Sequence, residues 1–349
     1  MSTLESRLHT AVGKVREHWR GTRFIDGLEP GVEGTEALLE LARLYRAYKL
    51  EIGRLGLLKG RAVAGLFFDP SLRTHTSMEA ATGRCGAQFI HLKAGQGGTW
   101  TMEFEDGVVM NGAAQEHVRE AAPVLSSYAD VLAVRAFPHH PADRDEKVIR
   151  AFGRYAMGPV MNLESALSHP CQGLADGLTL ADLGGGSFKG RKVCLTWAPH
   201  PRQLPQAVPL SVVRAAIMGG ADLHLACPEG YDLDEEEMER ATSFCPYTGA
   251  KLTVTRDPDA AADGALAVYA KGWGSAMSLE EHSARVATLG NWTVGAERMR
   301  NATAFMHCLP VRRNVIVTDA VLDGPKSRVI PQAANREPVQ AALLLTWLL

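Results

Sequence analysis

The sequence predicts an α/β protein with two doubly wound parallel-sheet (Rossmann-like) domains and a cleft between them. Short apolar runs of strand length alternate with helix-period segments through most of the 349 residues. These runs are apolar almost without interruption, which is typical of parallel sheets covered by helices on both faces. Near the middle, "GLADGLTLADLGGGSFKGRK" indicates a helix and a glycine-rich connector, with four strand-like runs before it and five after. Two such halves would display ligands at the carboxyl ends of their strands.

The candidate strands are apolar runs that end in proline, glycine or a polar residue. In the first half they are "RAVAGLFF" (61–68), "AQFIHL" (87–92), "DVLAVRAF" (130–137) and "GPVMNL" (158–163). In the second half they are "KVCLTWA" (192–198), "ADLHLACP" (221–228), "KLTVT" (251–255), "ALAVYAKG" (265–272) and "AFMHCLP" (304–310). Helical periodicity separates them, most clearly over 36–53, 113–129 and 210–220.

The connector predicts where the chain divides. We expect a first domain over 1–165, with about the first twenty residues as an extension, and a second domain over 185–325. Residues 166–184 and 333–349 are predicted to be interdomain helices, the last of which packs back on the first domain. The N-terminus lacks an apolar signal core, so the default expectation is a cytoplasmic protein.

Composition excludes several classes of partner. The net charge is −2, which gives no reason to expect nucleic acid or an acidic membrane surface. No apolar run approaches the length of a transmembrane helix. The six cysteines form no CxxC pair, so no zinc site is indicated and reduced thiols are expected. The sequence therefore predicts neither a metal nor a cofactor.

The stretch "FFDPSLRTHTSMEAA" (67–81) carries the first functional signal. A buried-type strand ends at Asp69-Pro70, and a helical pattern begins near Thr74 or Thr76. Backbone N–H groups at a helix start, together with nearby hydroxyls and Arg73, suit a phosphate. An ordinary strand-to-helix turn with polar caps and a solvated arginine is the alternative.

Several motifs give this stretch a family context. "SLRTHTS" resembles the phosphate loop of the aspartate and ornithine carbamoyltransferase superfamily. Further matches follow in the family's order: "VRAF" (134–137), "HPCQGLAD" (169–176), "YAKGW" (269–273), "HCLPVRRN" (307–314) and "AANR" (333–336). Within this superfamily, the sequence resembles most the members that act on N-acetylornithine. The features that carry this resemblance are Trp100, "TWAPHP" and "HCLPVRRNV".

The resemblance implies a set of residues that bind the donor, carbamoyl phosphate. They are Ser71, Leu72 through its backbone, Arg73, Thr74, Trp100, Arg135, His169, Gln172, Cys308, Leu309 and Arg336. Of these, the implied catalytic residues are Arg73, Arg135, His169 and Gln172. His169 would donate to the carbonyl oxygen, Gln172 would engage the amide, and the main-chain carbonyls at Cys308 and Leu309 would bind the amide nitrogen. Without the resemblance, most of these side chains would be read as caps, core residues or surface ion pairs.

On the acceptor side the resemblance implies Gln115, Glu164, Lys271 and Leu309. Lys271 follows a strand, where an ammonium would pair with an α-carboxylate. Trp100 would reach the site of a neighbouring subunit, so the resemblance also implies a homo-oligomer, a trimer. The implied reaction moves the carbamoyl group of carbamoyl phosphate to the side-chain amine of N-acetylornithine or a similar N-acylated diamino acid, as in arginine biosynthesis.

Four positions depart from the family pattern. His75 replaces an arginine of the phosphate loop, Gln115 stands where a glutamate is usual, Pro205 replaces an asparagine and Ile316 replaces a lysine. Three of the four changes fall on the acceptor side. A carbamoyltransferase for N-succinylornithine, for a diaminopropionate derivative or for a natural-product amine is therefore an open alternative. A non-catalytic relative that binds a metabolite is the alternative of another class.

Overall fold

The computed structural model describes residues 3–95, 100–136 and 146–349, and these form two compact units. The first unit comprises the described residues before 137 together with residues 146–171 and 336–349. The second unit comprises residues 172–335. Each unit contains one five-stranded sheet in which every strand pair is parallel. The prediction of two parallel α/β units is confirmed.

The first unit is built on the strand order β1-β7-β6-β2-β3. Its strands are β1 (Arg23–Phe24), β2 (Ala62–Phe67), β3 (Gln88–Lys93), β4 (Met102–Glu103), β5 (Glu116–His117), β6 (Val131–Arg135) and β7 (Val160–Glu164), of which β4 and β5 form a separate parallel pair. Its first six helices are α1 (Thr3–His18), α2 (Gly31–Ala47), α3 (Lys49–Leu55), α4 (Leu72–Cys85), α5 (Val118–Tyr128) and α6 (Lys147–Tyr155). The central strands β2, β6 and β7 are buried over almost their whole length, as their apolar composition requires.

The second unit has the strand order β10-β9-β8-β11-β12. Its strands are β8 (Lys192–Trp197), β9 (Asp222–Ala226), β10 (Lys251–Thr255), β11 (Ala267–Lys271) and β12 (Ala304–Met306). The helices are α7 (Pro170–Leu183), α8 (Ala207–Met218), α9 (Glu235–Thr242), α10 (Cys245–Thr248), α11 (Pro258–Ala262), α12 (Leu279–Thr288), α13 (Asp319–Leu322) and α14 (Val329–Ala334), with a 3₁₀ turn at Gly290–Trp292. The division between the units falls within α7, after Cys171.

The last helix, α15 (Arg336–Leu348), returns the chain to the first unit. It packs against α4, α2 and α1, and ten of its 13 residues are buried. Glu337 in its first turn lies 2.7 Å from the Arg84 guanidinium and accepts a hydrogen bond from the Tyr45 hydroxyl at 3.1 Å. The predicted N-terminal extension forms α1, which buries Leu8 and Val12. Among the described helices, none combines the length and the apolar character that crossing a bilayer requires.

All nine predicted strands are present, but several helix bounds differ. The helix after β2 begins at Leu72, not near Thr74 or Thr76, because Ser71 caps it. The segment predicted as one helix over 36–53 is interrupted at Tyr48, whose φ of −127° ends α2. The helix predicted over 113–129 is shorter and starts at Val118. The strands β1, β4 and β5, of two residues each, were not predicted.

Candidate functional site

The junction between β2 and α4 places two hydroxyl groups at a helix N-terminus. Ser71 is extended (φ −153°, ψ 117°), and its Oγ accepts a hydrogen bond from the backbone N–H of Thr74 at 3.2 Å. Thr74 is buried, and its Oγ1 accepts from the Arg336 guanidinium at 2.8 Å. Both oxygens are therefore acceptors, and neither hydroxyl donates a hydrogen bond to another described residue, so both can donate to an anion.

Arg73 brings an uncompensated positive charge to the same turn. It is half-buried, and within the part of the chain that the structure describes no carboxylate pairs with its guanidinium. The backbone N–H groups of Leu72 and Arg73 are likewise without a partner among the described residues, as the first turn of a helix dictates. The Leu72 side chain is 79% exposed, so this residue offers its backbone to a ligand. Donor groups, positive charge and the helix dipole converge here, which is the chemistry of a phosphate site.

His75 is the position at which this loop differs from the family pattern. Its ring stacks on His91, with centroids 4.1 Å apart, and meets the edge of Phe67 at 5.3 Å. Its Nε2 lies 3.6 Å from the Glu79 carboxylate. Burial, followed by the neighbouring His75, lowers the pKa of His91. An aromatic stack therefore fills the position at which the family has an arginine.

Three charged or polar side chains meet at the carboxyl ends of β6 and β7. Arg135 and Glu164 are paired in the sheet register, and the Arg135 guanidinium donates to the Glu164 carboxylate. His169 Nε2 lies 3.3 Å from the same carboxylate. All three side chains are at least 88% buried. The structure thus brings Arg135 and His169 together as the resemblance implies, and it adds Glu164, an implied acceptor ligand, to their cluster.

In the second unit, Gln172 belongs to a buried chain of hydrogen bonds. Its Nε2 donates to Asp176 Oδ1 at 2.8 Å, and Gln332 Nε2 donates to the same oxygen at 2.7 Å. Gln332 Oε1 accepts from the backbone N–H of His307 at 2.9 Å. The chain of bonds therefore joins α7 to the segment that contains Cys308 and Leu309.

That segment has an unusual backbone. Leu309 has φ 58°, a region that L-residues rarely adopt, and the Leu309–Pro310 peptide is cis. The backbone N–H of Leu309 donates to His307 Nδ1 at 2.8 Å, which holds the turn. Cys308 is 7% exposed, in agreement with a role for its main chain and not for a nucleophilic thiol.

A group of positive charges lies where β8 and β11 end. Lys271 is the last residue of β11 and is 9% exposed, and within the described ranges it has no ion pair. The loop after it packs on His200, because a Cβ at Gly272 would lie 2.7 Å from the His200 Cβ. Arg312 Nε in turn donates to His200 Nε2 at 3.3 Å. An ammonium and a guanidinium near a neutral imidazole suit a carboxylate ligand.

We expect stability to depend on pH through His200. Burial is the main cause that lowers the pKa of His200 to about 4, and Lys271 and Arg312 act in the same direction. An imidazole with a depressed pKa takes up a proton on unfolding, so its contribution to stability is complete above about pH 6.5 and is lost as the pH falls towards 4. His200→Asn should therefore flatten the fall in urea midpoint between pH 6.5 and pH 4. His9→Asn, which changes an exposed histidine, is the control, and an equally steep fall in both variants would contradict the assignment.

Trp100 and Gln115 each lie just before a strand of the small β4–β5 pair in the first unit. The Trp100 indole is 45% exposed and donates to Glu116 at 2.8 Å. Gln115 is exposed, and its Oε1 accepts from the backbone N–H of Thr101 at 3.1 Å. Trp100 also lines an apolar cavity of about 200 Å³ with Leu66, Leu92, Met102, Val124 and Leu125 among others. The glycine-rich loop before Trp100 lies, over residues 96–99, outside the described residues.

The remaining departures fall in the second unit. Ile316 is 1% exposed, and its backbone N–H donates to the Arg312 carbonyl at 2.9 Å. An apolar side chain therefore fills this position and supports the turn that carries Arg312. Pro205 is half-buried, just before α8.

Three residues of this site were not singled out from the sequence: Asp176, His307 and Arg312. Asp176 and His307 lie inside the motifs described above, but Gln332, which bonds to both, is distant in the chain. Arg312 is one of two adjacent arginines in "RRN". The surrounding sequence does not show which of the two belongs to the site. These three residues are recognised by their contacts with predicted site residues. Those contacts are visible only in the folded structure.

Comparison with known proteins gives the family context of this arrangement. Two family models match: the carbamoyl-P binding domain of aspartate/ornithine carbamoyltransferase over residues 24–182, and its Asp/Orn binding domain over residues 205–347. N-acetylornithine carbamoyltransferase of Xanthomonas campestris pv. campestris is 38% identical over 329 residues, which cover 88% of this chain and 92% of that protein. N-succinylornithine carbamoyltransferase of Bacteroides fragilis is 39% identical over 305 residues, with coverage of 86% and 89%.

Solved structures give the same result. Acetylornithine transcarbamylase complexed with acetylcitrulline matches with a TM-score of 0.87 and 36% identity over 93% of this chain and 99% of that chain. A mutant of N-acetyl-L-ornithine transcarbamylase complexed with carbamyl phosphate and N-succinyl-L-norvaline matches with a TM-score of 0.88 and 37% identity over the same shares. The likeness extends over both units.

Proposed function

Because the chain belongs to the aspartate/ornithine carbamoyltransferase family, we propose that it transfers the carbamoyl group of carbamoyl phosphate to the side-chain amine of an N-acylated ornithine, with N-acetylornithine as the first candidate. The family membership read from the sequence motifs is confirmed. The observation that carries the proposal within the first unit is the turn at Ser71–Thr74. Two hydroxyls, a helix N-terminus and a guanidinium that has no carboxylate partner among the described residues converge there.

The reaction needs no redox step. The neutral amine attacks the carbonyl carbon of carbamoyl phosphate, a C–N bond forms and the C–O bond to phosphate breaks. The amine nitrogen loses a proton, which passes directly or through water to the departing phosphate. Negative charge develops on the carbonyl oxygen and on the departing phosphate, so the protein assists by placing donors at both. Attack requires a deprotonated amine, and the rate should therefore rise with pH into the alkaline range.

The first unit supplies the groups that bind the phosphate and the carbonyl oxygen of carbamoyl phosphate. Ser71, Arg73 and Thr74 hold the phosphate with the backbone of Leu72, and Arg336 fixes Thr74 from behind. Arg135 and His169 serve the carbonyl oxygen. In the second unit, Gln172 and the main chain at Cys308 and Leu309 bind the carbamoyl nitrogen.

The acceptor's α-carboxylate pairs with the positive charges of the second unit. Lys271 and Arg312 lie near His200, and neither has a carboxylate partner among the described residues. A carboxylate ligand would compensate both charges at once. This agrees with an acceptor whose α-carboxylate is ionised while its α-amine is acylated.

Gln115 and Trp100 select the acyl group of the acceptor. A second candidate acceptor is N-succinylornithine, since an uncharged Gln115 does not repel the additional carboxylate of a succinyl group, whereas the glutamate usual at this position would. The relative from Bacteroides fragilis bears that acceptor in its name at 39% identity. Acetyl and succinyl compounds must therefore be compared directly.

The proposal includes a homotrimer in which Trp100 reaches the site of a neighbouring subunit. Its support is the exposure of the Trp100 indole, which is 45% exposed, and of three apolar side chains of the same unit: Val109 is 80% exposed, and Val108 and Met110 are each 42% exposed. Sedimentation equilibrium tests the stoichiometry. A monomer at micromolar concentration would contradict this part of the proposal.

A co-substrate screen tests the function. Phosphate release from carbamoyl phosphate is measured with ornithine, N-acetylornithine, N-succinylornithine and diaminopropionate derivatives. We expect acceptor-dependent release with an N-acylated ornithine and little with ornithine itself. If carbamoyl phosphate binds but no amine releases phosphate, the chain is a binding protein and the proposal is wrong.

Glu164→Gln should lower kcat/KM for carbamoyl phosphate about 10- to 100-fold. The substitution weakens the carboxylate contacts that hold Arg135 and His169, and a hydrogen bond to a charged group contributes about 1.5–3 kcal/mol, with roughly 1.4 kcal/mol per decade of rate. Steady-state kinetics measure the effect, and Glu79→Gln, at an exposed position on α4, is the matched control. A lower KM with unchanged kcat would show instead that Glu164 merely competes with the donor for Arg135.

A further inference from the structure

A surface cavity of about 360 Å³ lies in the first unit, away from the turn at Ser71–Thr74. The end of α1, the segment before β1 and the last turn of α15 line it, among them Arg16, Trp19, Arg20, Gly21 and Trp347. Thr22 and Pro159, which also line it, precede the amino ends of β1 and β7. The turn at Ser71–Thr74 follows the carboxyl end of β2 in the same parallel sheet, so the two places lie at opposite edges of that sheet.

Two hydrogen bonds from side chains to the backbone hold the walls of this cavity. Arg16 Nε donates to the Thr346 carbonyl at 2.8 Å, and Trp347 Nε1 donates to the Gly21 carbonyl at 3.0 Å. The last turn of a helix has carbonyls without intrahelical partners, so the first bond satisfies an acceptor at the end of α15. Together the two bonds fix the end of α15 to the end of α1 and the segment that follows it.

Two arginines give the cavity a positive charge. Arg16 is half-buried and Arg20 is exposed, and neither forms an ion pair within the part of the chain that the structure describes. Toward other described residues each guanidinium donates through Nε alone, and Arg20 does so to the Arg16 carbonyl at 3.0 Å. None of the described residues that line the cavity is acidic. The NH₂ groups of both arginines are therefore available to a ligand that carries carboxylate or phosphate oxygens.

The Trp19 indole supplies an independent indication of a ligand. Trp19 is 5% exposed, and its N–H has no acceptor among the described residues. A Cβ at position 21 would lie 2.4 Å from Trp19 Nε1, so glycine at this position leaves the N–H uncovered. The nitrogen is not one of the fully enclosed atoms without a partner in the described ranges. Because a buried indole N–H usually has a partner, this donor is suited to an oxygen of a bound molecule.

We propose that this cavity binds a small organic oxyanion, a carboxylate or a phosphate carried on a flat ring. The two guanidiniums and the Trp19 N–H are all donors, so the ligand must supply the acceptors. Its ring would pack on the half-buried Trp347 indole, whose centroid lies 5.8 Å from that of Trp19 in a tilted arrangement. The volume lies within the range of about 300–1,000 Å³ that is usual for ligand sites. The inference does not depend on the proposed function, because the cavity shares no residue with the site described above.

Four probes test the proposal: phenyl phosphate, benzoate, inorganic phosphate and the uncharged ring compound benzyl alcohol. The full chain carries Arg73→Ala, which weakens phosphate binding at the turn Ser71–Thr74. Nuclear magnetic resonance of the ¹⁵N-labelled indole groups reports contact with Trp19 directly, and Trp19→Phe identifies its signal. We expect phenyl phosphate or benzoate to shift this signal and to bind about tenfold more tightly than inorganic phosphate or benzyl alcohol, since only they combine ring and anion contacts. The tighter of the two shows which oxyanion the cavity prefers.

Two variants assign the binding to this cavity. Arg20→Gln removes one guanidinium from an exposed position and should weaken the tighter probe about tenfold, the loss of one charge-assisted hydrogen bond. Gly21→Ala places a methyl group against the Trp19 N–H and should abolish the shift of its signal. Arg54→Gln, at an exposed position on α3, is the matched control and should change the affinity less than twofold. Circular dichroism shows that each variant is folded.

Three results would overturn the inference. The first is a Trp19 signal that neither aromatic anion shifts at millimolar concentration. The second is an equal affinity for inorganic phosphate, which would show that the ring contributes nothing. The third is an equal effect of Arg20→Gln and Arg54→Gln, which would place the bound anion elsewhere. Each of these results is independent of carbamoyl transfer, so the proposed function and this inference can fail separately.

Discussion

Arg73→Ala is expected to weaken carbamoyl phosphate binding by about 10²- to 10⁴-fold. The guanidinium is half-buried at the start of α4 and, among the described residues, has no carboxylate partner, so its charge is available to a phosphate. A bidentate contact comprises two charge-assisted hydrogen bonds of about 1.5–3 kcal/mol each, and a factor of ten in affinity corresponds to about 1.4 kcal/mol. Isothermal titration calorimetry with carbamoyl phosphate and with inorganic phosphate measures the effect.

Two further variants define what the arginine contributes. Arg73→Lys keeps the charge but loses the planar fork, so we expect an intermediate loss. Arg54→Ala removes the same side chain from an exposed position on α3 of the same unit, and it should leave both affinities within twofold. Unchanged affinity in Arg73→Ala would show that Ser71 and Thr74 cap the helix without forming a phosphate site.

The framework of this site was predictable because its signals are local. Buried parallel strands appear as apolar runs, and the polar residues that follow β2, β6 and β11 mark the carboxyl ends where ligands bind. The start of α4 was predicted too late, near Thr74 or Thr76, although Ser71 is a residue type that caps helices. The short strands β1, β4 and β5 could not be predicted, since two residues carry no periodicity.

The break between α2 and α3 shows another limit. The sequence around Tyr48 consists of residues that tolerate a helix, and no glycine or proline marks the end. Packing decides the break: α2 presents Leu38, Leu41 and Tyr45 to the core, whereas α3 buries only Ile52. A change in the direction of burial is a property of the fold and leaves no local pattern.

The polar network of the second unit is the clearest example of information that the sequence does not show. Gln332 and Asp176 are 156 residues apart, and Gln332 and His307 are 25 apart. The motif "HPCQGLAD" shows Gln172 and Asp176 one helical turn apart, which is compatible with contact. Nothing in it indicates that a second glutamine completes the site, because a buried polar residue is recognisable only once its surroundings are known.

The second large effect is expected for Lys271→Met, which should raise the KM for the acceptor about 10- to 100-fold and leave the affinity for carbamoyl phosphate within twofold. Methionine keeps most of the aliphatic stem and removes the ammonium, so the loss reports the charge, worth about 1.5–3 kcal/mol for one charge-assisted hydrogen bond. Arg312 remains as a second cation, and for that reason the acceptor still binds. Lys251→Met, at an exposed position on β10 of the same unit, is the matched control. An acceptor KM that does not change, with carbamoyl transfer intact, would place the α-carboxylate elsewhere and leave the charges around His200 with a structural role.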